Sequence, residues 1–409
     1  MNIICKLFER METDNIAKSL GNMMISGVEN AGRITAYRDL IRHQLNKNRT
    51  LLIFQDAVTL EKYSQTKALI TPFGRRIYDI SLSSTDNKID ILTAFNSPED
   101  KATFIVTLFS YVADISETLR NKAYRFYYYA IDTFDKLSKP YTLNELAKID
   151  LDYVIDAVNM SSLDDLEKNR RLRFLSDATT YSSFLDLESY MIQLESSGVC
   201  RVLSGDKNCA EAFTNGNVSI ISGYASEDKK KRELLLNAVM YAVNSCAERS
   251  VSTHPLSVVL NNMDFMQDEV AKSLMEYNFG IDCAVYVLME DISKYIEKNG
   301  NELLEKTKSF LVFTQGSDNN ASFWSAFFGS RDVQERSFSY TKRKSWNPFS
   351  NMWDSGGVIA TPRKYNSTTT NVQKVNKPIY RPEIFRELRP EEVMCYLREP
   401  LLRRKSRIE

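Results

Sequence analysis

The sequence predicts an α/β fold in which a core with a mainly parallel sheet is interrupted by an all-helical insertion. Residues 22–56 have the pattern of a strand, a glycine-bounded loop, a helix and a second strand, which is the order of a parallel β-α-β unit. Residues 98–198 show helical periodicity, and glycine is absent until the end of this stretch. Strand and helix patterns alternate again from residue 218, so the core resumes after the insertion.

The first β-α-β unit begins with the apolar segment Asn22–Ser26, which we predict to be a strand. The loop Gly27–Gly32 follows, and residues 33–45 place apolar side chains at helical spacing. Residues 49–56 then predict a buried strand that ends in an acid. Residues 77–80 predict a further strand of the same sheet.

The insertion between residues 98 and 198 is predicted to contain several helices, because Phe104, Leu108 and Val112 recur at helical spacing. Its aromatic run, Tyr124–Tyr129, allows two interpretations. The aromatic side chains could stack on single-stranded nucleic acid, or they could pack into the core of the insertion. We favour core packing.

The second half of the core alternates strands and helices until Gly329, after which the polar composition predicts a long loop or tail. The predicted strands are Val218–Ser222, Pro255–Leu260, Cys283–Met289, Ser309–Phe313 and Val393–Leu397, and the predicted helices are Lys229–Ser250, Gln267–Asn278, Ile292–Lys298 and Ser322–Phe328, with a further helix start near Pro390–Glu392.

These patterns divide the chain into four predicted segments. They are the first part of the α/β core (1–97), the helical insertion (98–198), the second part of the core (199–335), and a basic polar tail with a short closing helix and strand (336–409).

Composition excludes several kinds of site. The chain has 409 residues with 53 basic and 53 acidic side chains, so its formal net charge is zero. Only two histidines occur and no two cysteines form a CxxC pair, which argues against a histidine triad or a zinc site. The longest apolar runs are too short for a membrane helix, so we expect a cytoplasmic protein without a transmembrane segment.

The neutral total hides a charge asymmetry. The segment from Thr341 to the end contains fifteen basic and seven acidic residues, so residues 1–340 carry the compensating negative charge. Two clusters dominate the tail, Lys342-Arg343-Lys344 and Arg403-Arg404-Lys405. They predict contact with nucleic acid or an anionic membrane face, or docking on the acidic body of the chain itself.

A third basic cluster, Lys229–Arg232, starts a predicted helix and follows two acids. It could touch phosphates, but a solvated helix start is the favoured interpretation.

The loop after the first strand has the glycine spacing of a phosphate-binding P-loop. In such a loop, backbone N–H groups and the helix N-terminus hold phosphates, a lysine reaches the β/γ-phosphates, and a Ser or Thr binds magnesium. Gly27 and Gly32 have the required spacing, but Arg33 stands at the lysine position and Ile34 at the Ser/Thr position. Thr35 comes one residue late, and one residue on a helix is a rotation of about 100°.

The acidic half of such a site is also altered. A P-loop enzyme needs an acid at the end of a central strand to hold the metal shell, and a second acid to activate water. The strand that ends at Leu260 is followed by Asn261 and Asn262, two amides that supply neither charge nor a general base. Asp264, two residues further on, could stand in only if the strand end is bulged.

The order of these segments resembles the conjugative type IV secretion coupling proteins, the TraG/TraD-like family of the FtsK/HerA-like P-loop superfamily. The resemblance covers nearly the whole chain from Asn22 and rests on many weak matches in order, including Asp56 after the second strand, Glu290 at a position where the family has a glutamine sensor, and the closing segment 380–404. It implies a RecA-like P-loop core with a helical insertion.

The resemblance implies ATP and Mg²⁺ as cofactors and a ring of subunits. The altered residues instead predict a pseudo-ATPase with no catalytic residues, no metal ligands and no cofactor. Its degenerate nucleotide site would comprise Gly27, Gly32, Arg33, Ile34, Thr35, Asn261, Asn262 and Glu290. An active DNA-translocating ATPase that uses Arg33 and Asp264 is the alternative, and an unrelated α/β interaction protein is a third.

The resemblance also implies the partners. They are other proteins of the conjugation or secretion machinery, with DNA and a homo- or hetero-oligomeric ring as open alternatives, and a peripheral location at the inner face of the cell membrane. The helical insertion is the first candidate surface for a partner.

Overall fold

The computed structural model describes residues 22–29, 31–55, 59–83, 88–224, 226–249, 255–261, 283–299, 304–305, 307–345, 363–397 and 402–407. The chain divides into two compact units. One comprises Met1–Gly316 with Leu388–Glu409, and the other comprises Ser317–Glu387. The four segments expected from the sequence stay a prediction, because this division does not test them.

The first unit is built on a sheet in which nine of the described strands pair in the order β13-β12-β9-β1-β8-β7-β2-β6-β3. The seven strands from β9 to β3 are parallel, and β12 and β13 add antiparallel pairs at one edge. The predicted α/β class with a mainly parallel sheet is therefore confirmed. The strands are β1 (Asn22–Ser26), β2 (Thr50–Gln55), β3 (Ile77–Ser81), β4 (Ile89–Asp90), β5 (Lys207–Asn208), β6 (Val218–Ser222), β7 (Leu256–Asn261), β8 (Cys283–Met289), β9 (Ser309–Val312), β10 (Ser330–Ser345), β11 (Arg363–Pro378), β12 (Glu392–Leu397) and β13 (Leu402–Arg407).

Helices cover the sheet and fill the insertion. In chain order they are α1 (Ala31–Asn46), α2 (Leu60–Ile70), α3 (Pro98–Val112), α4 (Glu117–Lys136), α5 (Leu143–Leu146), α6 (Leu151–Met160), α7 (Asp165–Leu175), α8 (Ala178–Ser196), α9 (Val199–Val202), α10 (Cys209–Phe213), α11 (Lys229–Arg249), α12 (Ile292–Asn299), α13 (Asp318–Phe327) and α14 (Pro382–Arg386), with short 3₁₀ turns at Thr71–Phe73 and Ile91–Ala94. None of the described helices is long and apolar enough to cross a membrane.

The central strands form where the sequence is apolar on both faces. Every residue of β1, β2, β6 and β8 is buried, because helices cover both sides of a parallel sheet. The core under α1 contains Met23, Ile25, Ile53 and Phe313.

The insertion consists of six helices, α3 to α8, between Pro98 and Ser196. Each begins where a short polar side chain accepts a hydrogen bond from a free backbone N–H of the first turn. These capping residues are Ser97, Ser116, Thr142, Asp150, Asp164 and Asp177.

The aromatic run lies on α4, and its members divide between two environments. Phe126, Tyr127 and Tyr129 are buried in the insertion, as the core interpretation requires. Tyr124 and Tyr128 are half-buried and stack on each other with ring centroids 6.2 Å apart. Burial raises the pKa of Tyr124, and the nearby Glu99 and Asp100 raise it further, so this pair lies in an acidic environment that disfavours phosphates.

Several predictions of elements were wrong. Helix α2 was missed. The expected polar loop after Gly329 is largely the antiparallel pair β10–β11, since threonine is β-branched and favours strands despite its polarity. The expected helix start near Pro390–Glu392 is a turn that leads into β12, and the helix lies earlier, at α14. The predicted helix Gln267–Asn278 lies outside the described residues.

The second unit, Ser317–Glu387, contains α13, α14 and the two long strands between them. Phe328 packs against Phe385 and Tyr380, and the Ser325 hydroxyl donates to the carbonyl of Tyr380 at 2.7 Å. Arg386 also pairs with Asp318. These contacts tie the two short helices together at one end of the strand pair.

Asp79 on the edge strand β3 gives a test of stability against pH. Burial raises the pKa of Asp79 to about 6, with a hydrogen bond from Ser81 opposing the shift. Because the unfolded carboxyl ionises near pH 4 and the folded one only near pH 6, stability should fall as pH rises from about 4 to 6 and stay at the lower value above that. Asp79→Asn should therefore raise the free energy of unfolding at pH 8 by about 1 kcal/mol, after discounting for partial exposure, and change it little at pH 4.

Urea denaturation at the two pH values measures this difference, with Asp152→Asn on the exposed face of α6 as the control. An equal gain at both pH values would show that the ionisation of Asp79 is not the cause.

Candidate nucleotide site

The residues predicted for a nucleotide site converge on one edge of the sheet. Strand β8 lies between β1, which precedes the glycine loop, and β7, which ends in Asn261. Because these strands are parallel, their carboxyl ends meet at the same edge, where α/β folds bind ligands. Glu290 follows β8 at this edge and is exposed.

Two backbone N–H groups at the start of the glycine loop are hydrogen-bonded within the protein. The Gly27 N–H donates to the Met289 carbonyl at 3.2 Å, and the Val28 N–H donates to the Thr314 carbonyl at 2.9 Å. Gly27 has a φ of +143°, and a Cβ there would lie 2.8 Å from the Cβ of Phe313. Two N–H groups at the start of the loop are therefore unavailable to a phosphate.

The other end of the loop is covered by the segment that leads into β12. A Cβ placed on Gly32 would lie 1.9 Å from the carbonyl oxygen of Pro390. The same segment is fixed by the Thr314 hydroxyl, which donates to the Leu388 carbonyl at 2.7 Å. The second glycine is therefore required by a close backbone approach from within the chain.

Arg33 turns back across the loop. Its Nη1 donates to the carbonyl oxygen of Gly27 at 2.7 Å, and the residue is only 3% exposed. At the position where a P-loop lysine reaches phosphates, the guanidinium is instead held by the first glycine of its own loop.

A cavity of about 80 Å³ lies beside the loop, between α1 and α2. Ile34 and Asn261 line it together, so the structure brings the residues expected at the Ser/Thr position and at the strand-end acid to one place. This volume is below the roughly 300–1,000 Å³ that is typical of small-molecule sites. The lining residues are Glu29, Ile34, Tyr37, Arg38, Gln55, Lys62, Gln65, Thr66, Leu69 and Asn261.

A chain of hydrogen bonds orients Gln55 in this cavity. The Thr66 hydroxyl donates to Gln55 Oε1 at 3.0 Å, and the Tyr37 hydroxyl lies 3.3 Å from Thr66 Oγ1. Burial raises the pKa of Tyr37 to about 12, and the hydrogen bond to Thr66 opposes the shift, so Tyr37 stays protonated and can donate. Because the Gln55 oxygen already accepts this bond, the amide nitrogen Nε2 remains as a buried donor for which the described residues supply no hydrogen-bond partner.

These residues do not fit a magnesium ion. Mg²⁺ requires oxygen ligands, one or two of them carboxylates. The cavity offers the aliphatic side chain of Ile34 and the amide nitrogen of Gln55, while its carboxylate, Glu29, is paired with Lys62 at 2.6 Å. Within the part of the chain that the structure describes, no group of three or more His, Cys, Asp or Glu side chains could hold a metal.

The remaining predicted residues are placed as follows. Thr35 is half-buried on α1, which begins at Ala31. Asp56, Asn262 and Asp264 lie outside the described residues.

The two basic clusters of the tail lie on strands. Lys342-Arg343-Lys344 is in β10, and Arg403-Arg404-Lys405 is in β13 at the edge of the large sheet. Charged residues on an edge strand prevent pairing with other chains, so β13 has a structural reason for its charge.

Sequence reasoning missed Gln55, Tyr37, Thr66 and Pro390. Gln55 had a signal, because it is a polar residue at the end of an otherwise apolar strand. The other three residues had no such signal. Thr66 lies on helix α2, which was not predicted, Tyr37 occupies an apolar position of the predicted helix, and Pro390 is far from the loop in sequence.

Comparison with solved structures identifies the fold. The bacterial conjugative coupling protein TrwB, unbound, aligns with a TM-score of 0.60 and 12% identity over 95% of this chain and 85% of that one. TrwB in complex with ADP and Mg²⁺ aligns with a TM-score of 0.61 and 12% identity, over 97% and 86% of the two chains. The chain has the fold of a conjugative coupling protein.

VirB4 of Thermoanaerobacter pseudethanolicus shares this coupling-protein fold, with a TM-score of 0.55 and 10% identity over 95% of this chain and 89% of that one. No protein-family model matches the sequence, and the search of curated proteins finds no significant match. At these identities the likeness concerns the fold, so the chemistry has to be argued from the residues of this chain.

Proposed function

We propose that the chain is a catalytically degenerate P-loop protein that acts as a scaffold or adaptor in conjugative DNA transfer or type IV secretion. The coupling-protein fold supports a role in conjugation or secretion. The altered residues of the site support the loss of catalysis. The observation that carries the proposal is Arg33, which is buried and hydrogen-bonded to the Gly27 carbonyl at 2.7 Å.

The two positions that would hold the metal support the same conclusion. Ile34 and Asn261 face one small cavity and supply no carboxylate to it. One substitution could be compensated, but the lysine, Ser/Thr and acid positions have changed together in one site. Phosphoryl transfer depends almost entirely on positioning and charge stabilisation, and this site supplies neither.

The proposal includes partners from the conjugation or secretion machinery and a cytoplasmic location at the inner face of a membrane. The helical insertion is the candidate surface for those partners, because it carries most of the large exposed apolar side chains among the described residues. They are Tyr153, Met160, Leu166, Tyr181, Leu185 and Ile192, with Leu60 on α2 as the exception.

Steady-state hydrolysis tests the loss of catalysis. The purified chain with ATP and Mg²⁺ should show no phosphate release above a protein-free control, with or without DNA. Turnover of about 1 s⁻¹ would contradict the proposal, since that is within the range of working enzymes. The variant Arg33→Ala should be equally inactive, because the proposal gives Arg33 no role in hydrolysis.

A further inference from the structure

An open cleft of about 380 Å³ lies where the helical insertion joins the rest of the first unit. It is formed by the 3₁₀ turn Ile91–Ala94, the first turn of α3 and the loop that follows α4. Every residue that lines it falls in the continuous described range 88–224. Its volume is within the range of about 300–1,000 Å³ that is typical of small-molecule sites.

The two lysines that line the cleft are engaged by other groups. The Lys101 ammonium donates to the Tyr141 hydroxyl at 2.6 Å and lies 3.5 Å from Asp135 Oδ2. The Tyr141 hydroxyl donates in turn to Asp135 Oδ1 at 2.7 Å, so these three side chains satisfy one another. The Lys139 ammonium lies 4.1 Å from the centroid of the Tyr153 ring, which is not part of the cleft wall. Both positive charges are therefore directed to partners within the insertion.

Asp90, the other acid of the cleft, has no cation of its own. Its Oδ1 accepts a hydrogen bond from the Leu92 N–H at 3.1 Å, and no cation among the described residues forms an ion pair with the carboxylate. Burial raises the pKa of Asp90, and the Leu92 bond and the charge of Lys101 oppose the shift. A half-buried carboxylate with a single hydrogen bond has lost part of its hydration without full compensation. A cationic group that entered the cleft would supply that compensation.

The cleft also offers apolar surface beside this carboxylate. Leu92 and Phe95 contribute to its wall and are almost fully buried, and Phe95 stacks on Phe104 with ring centroids 4.8 Å apart. An alkyl chain can lie on this surface while a charged group at its end reaches Asp90. A hard metal ion would instead need several oxygen ligands, and the described residues hold no group of three or more His, Cys, Asp or Glu side chains that could bind one.

We propose that this cleft binds an organic cation, whose ammonium or guanidinium group pairs with the Asp90 carboxylate while its alkyl part packs on Leu92 and Phe95. Two sources can supply this chemistry, a free alkylamine or a lysine or arginine side chain of a partner protein. The cleft shares no residue with the glycine loop or its cavity, so binding here does not depend on the loss of catalysis there.

Calorimetric titration of the full chain with 1,4-diaminobutane tests the proposal. The diamine should bind with a dissociation constant of about 1 mM or below, whereas 1,4-butanediol, which has the same length and no charge, should not bind. Asp90→Asn keeps an acceptor for the Leu92 N–H but removes the charge, so it should weaken binding about tenfold or more. The matched control is Asp156→Asn on the exposed face of α6, which changes the net charge equally and should leave binding unchanged.

Hydrogen exchange of the wild-type chain provides a readout that needs no variant. Addition of the diamine should slow exchange in the segments 90–95 and 137–141, which form the cleft. A blocked peptide with a single arginine then distinguishes the two sources. Binding of this peptide at least as tight as that of the diamine identifies a partner's side chain as the occupant, and tighter binding of the diamine identifies a free amine.

Four results would overturn the proposal. They are equal binding of the diol and the diamine, equal losses from Asp90→Asn and Asp156→Asn, slowed exchange only outside the cleft, or no binding of either cation up to about 10 mM. If Asp90→Asn does not keep the wild-type melting temperature, the comparison of diol with diamine and the exchange pattern still decide the outcome.

Discussion

Replacing Arg171 by alanine is expected to lower the free energy of unfolding by about 3–5 kcal/mol, the range measured when one member of a buried ion pair is removed. Arg171 is 1% exposed, although it lies on a helix in the insertion. Its guanidinium donates to Glu167 at 3.0 Å and to the Thr133 hydroxyl at 3.0 Å, and it also pairs with Asp132.

The cation also lies over an aromatic ring, 5.1 Å from the centroid of Tyr129. One side chain therefore joins α7 to α4 through charge, hydrogen bonds and ring contact. Burial alone would raise the pKa of Asp132, but hydrogen bonds from Lys136 and Arg171 hold it below its usual value. Removal of Arg171 leaves Asp132 with Lys136 and opens a cavity where the arginine stem packed.

Arg170 is the matched control, because it is the adjacent residue, carries the same charge and has a side chain 74% exposed. Arg170→Ala should change the free energy of unfolding by no more than about 0.5 kcal/mol. Urea denaturation of both variants measures the difference. Equal losses would show that Arg171 is not a buried anchor.

Gly32→Ala is expected to destabilise the protein by about 2–3 kcal/mol, which is the opposite of the usual effect of alanine in a helix. Alanine is normally the better helix former, but here its Cβ would meet the Pro390 carbonyl oxygen at 1.9 Å. Backbone has to move to relieve that overlap, because the segment is fixed by the Thr314 hydrogen bond to Leu388.

Gly74→Ala provides the comparison. Gly74 has no neighbouring atom within 4 Å of the added Cβ but has a φ of +63°, so the change should cost only about 1 kcal/mol. Thermal unfolding of the two variants measures the difference between their losses of stability. A Gly32→Ala protein as stable as wild type would mean that Pro390 does not close the loop.

Local pattern was sufficient for much of the core. Strands β1, β6 and β8 have the bounds that their apolar runs predict, because a buried parallel strand is marked by its own residues. The ribbon β10–β11 escaped prediction because its Ser, Thr and Asn residues are also typical of loops, and its pairing is non-local.

The candidate site also combines features that the local sequence predicts with features that it does not. The glycine spacing and the substitutions at Arg33, Ile34 and Asn261 could be read from the sequence. The hydrogen bond of Arg33 to Gly27 depends on a rotamer, and the cover by Pro390 depends on a contact between the two ends of the chain. No local pattern encodes either one.

Calorimetric titration with a non-hydrolysable ATP analogue, with and without Mg²⁺, tests whether the site has lost magnesium-dependent nucleotide binding. We expect no binding, or weak binding that is the same with magnesium and with a chelator, because Ile34 and Asn261 supply no carboxylate ligand for the metal. Tight binding that requires magnesium would contradict it, and would mean that Arg33 leaves Gly27 to admit the phosphates.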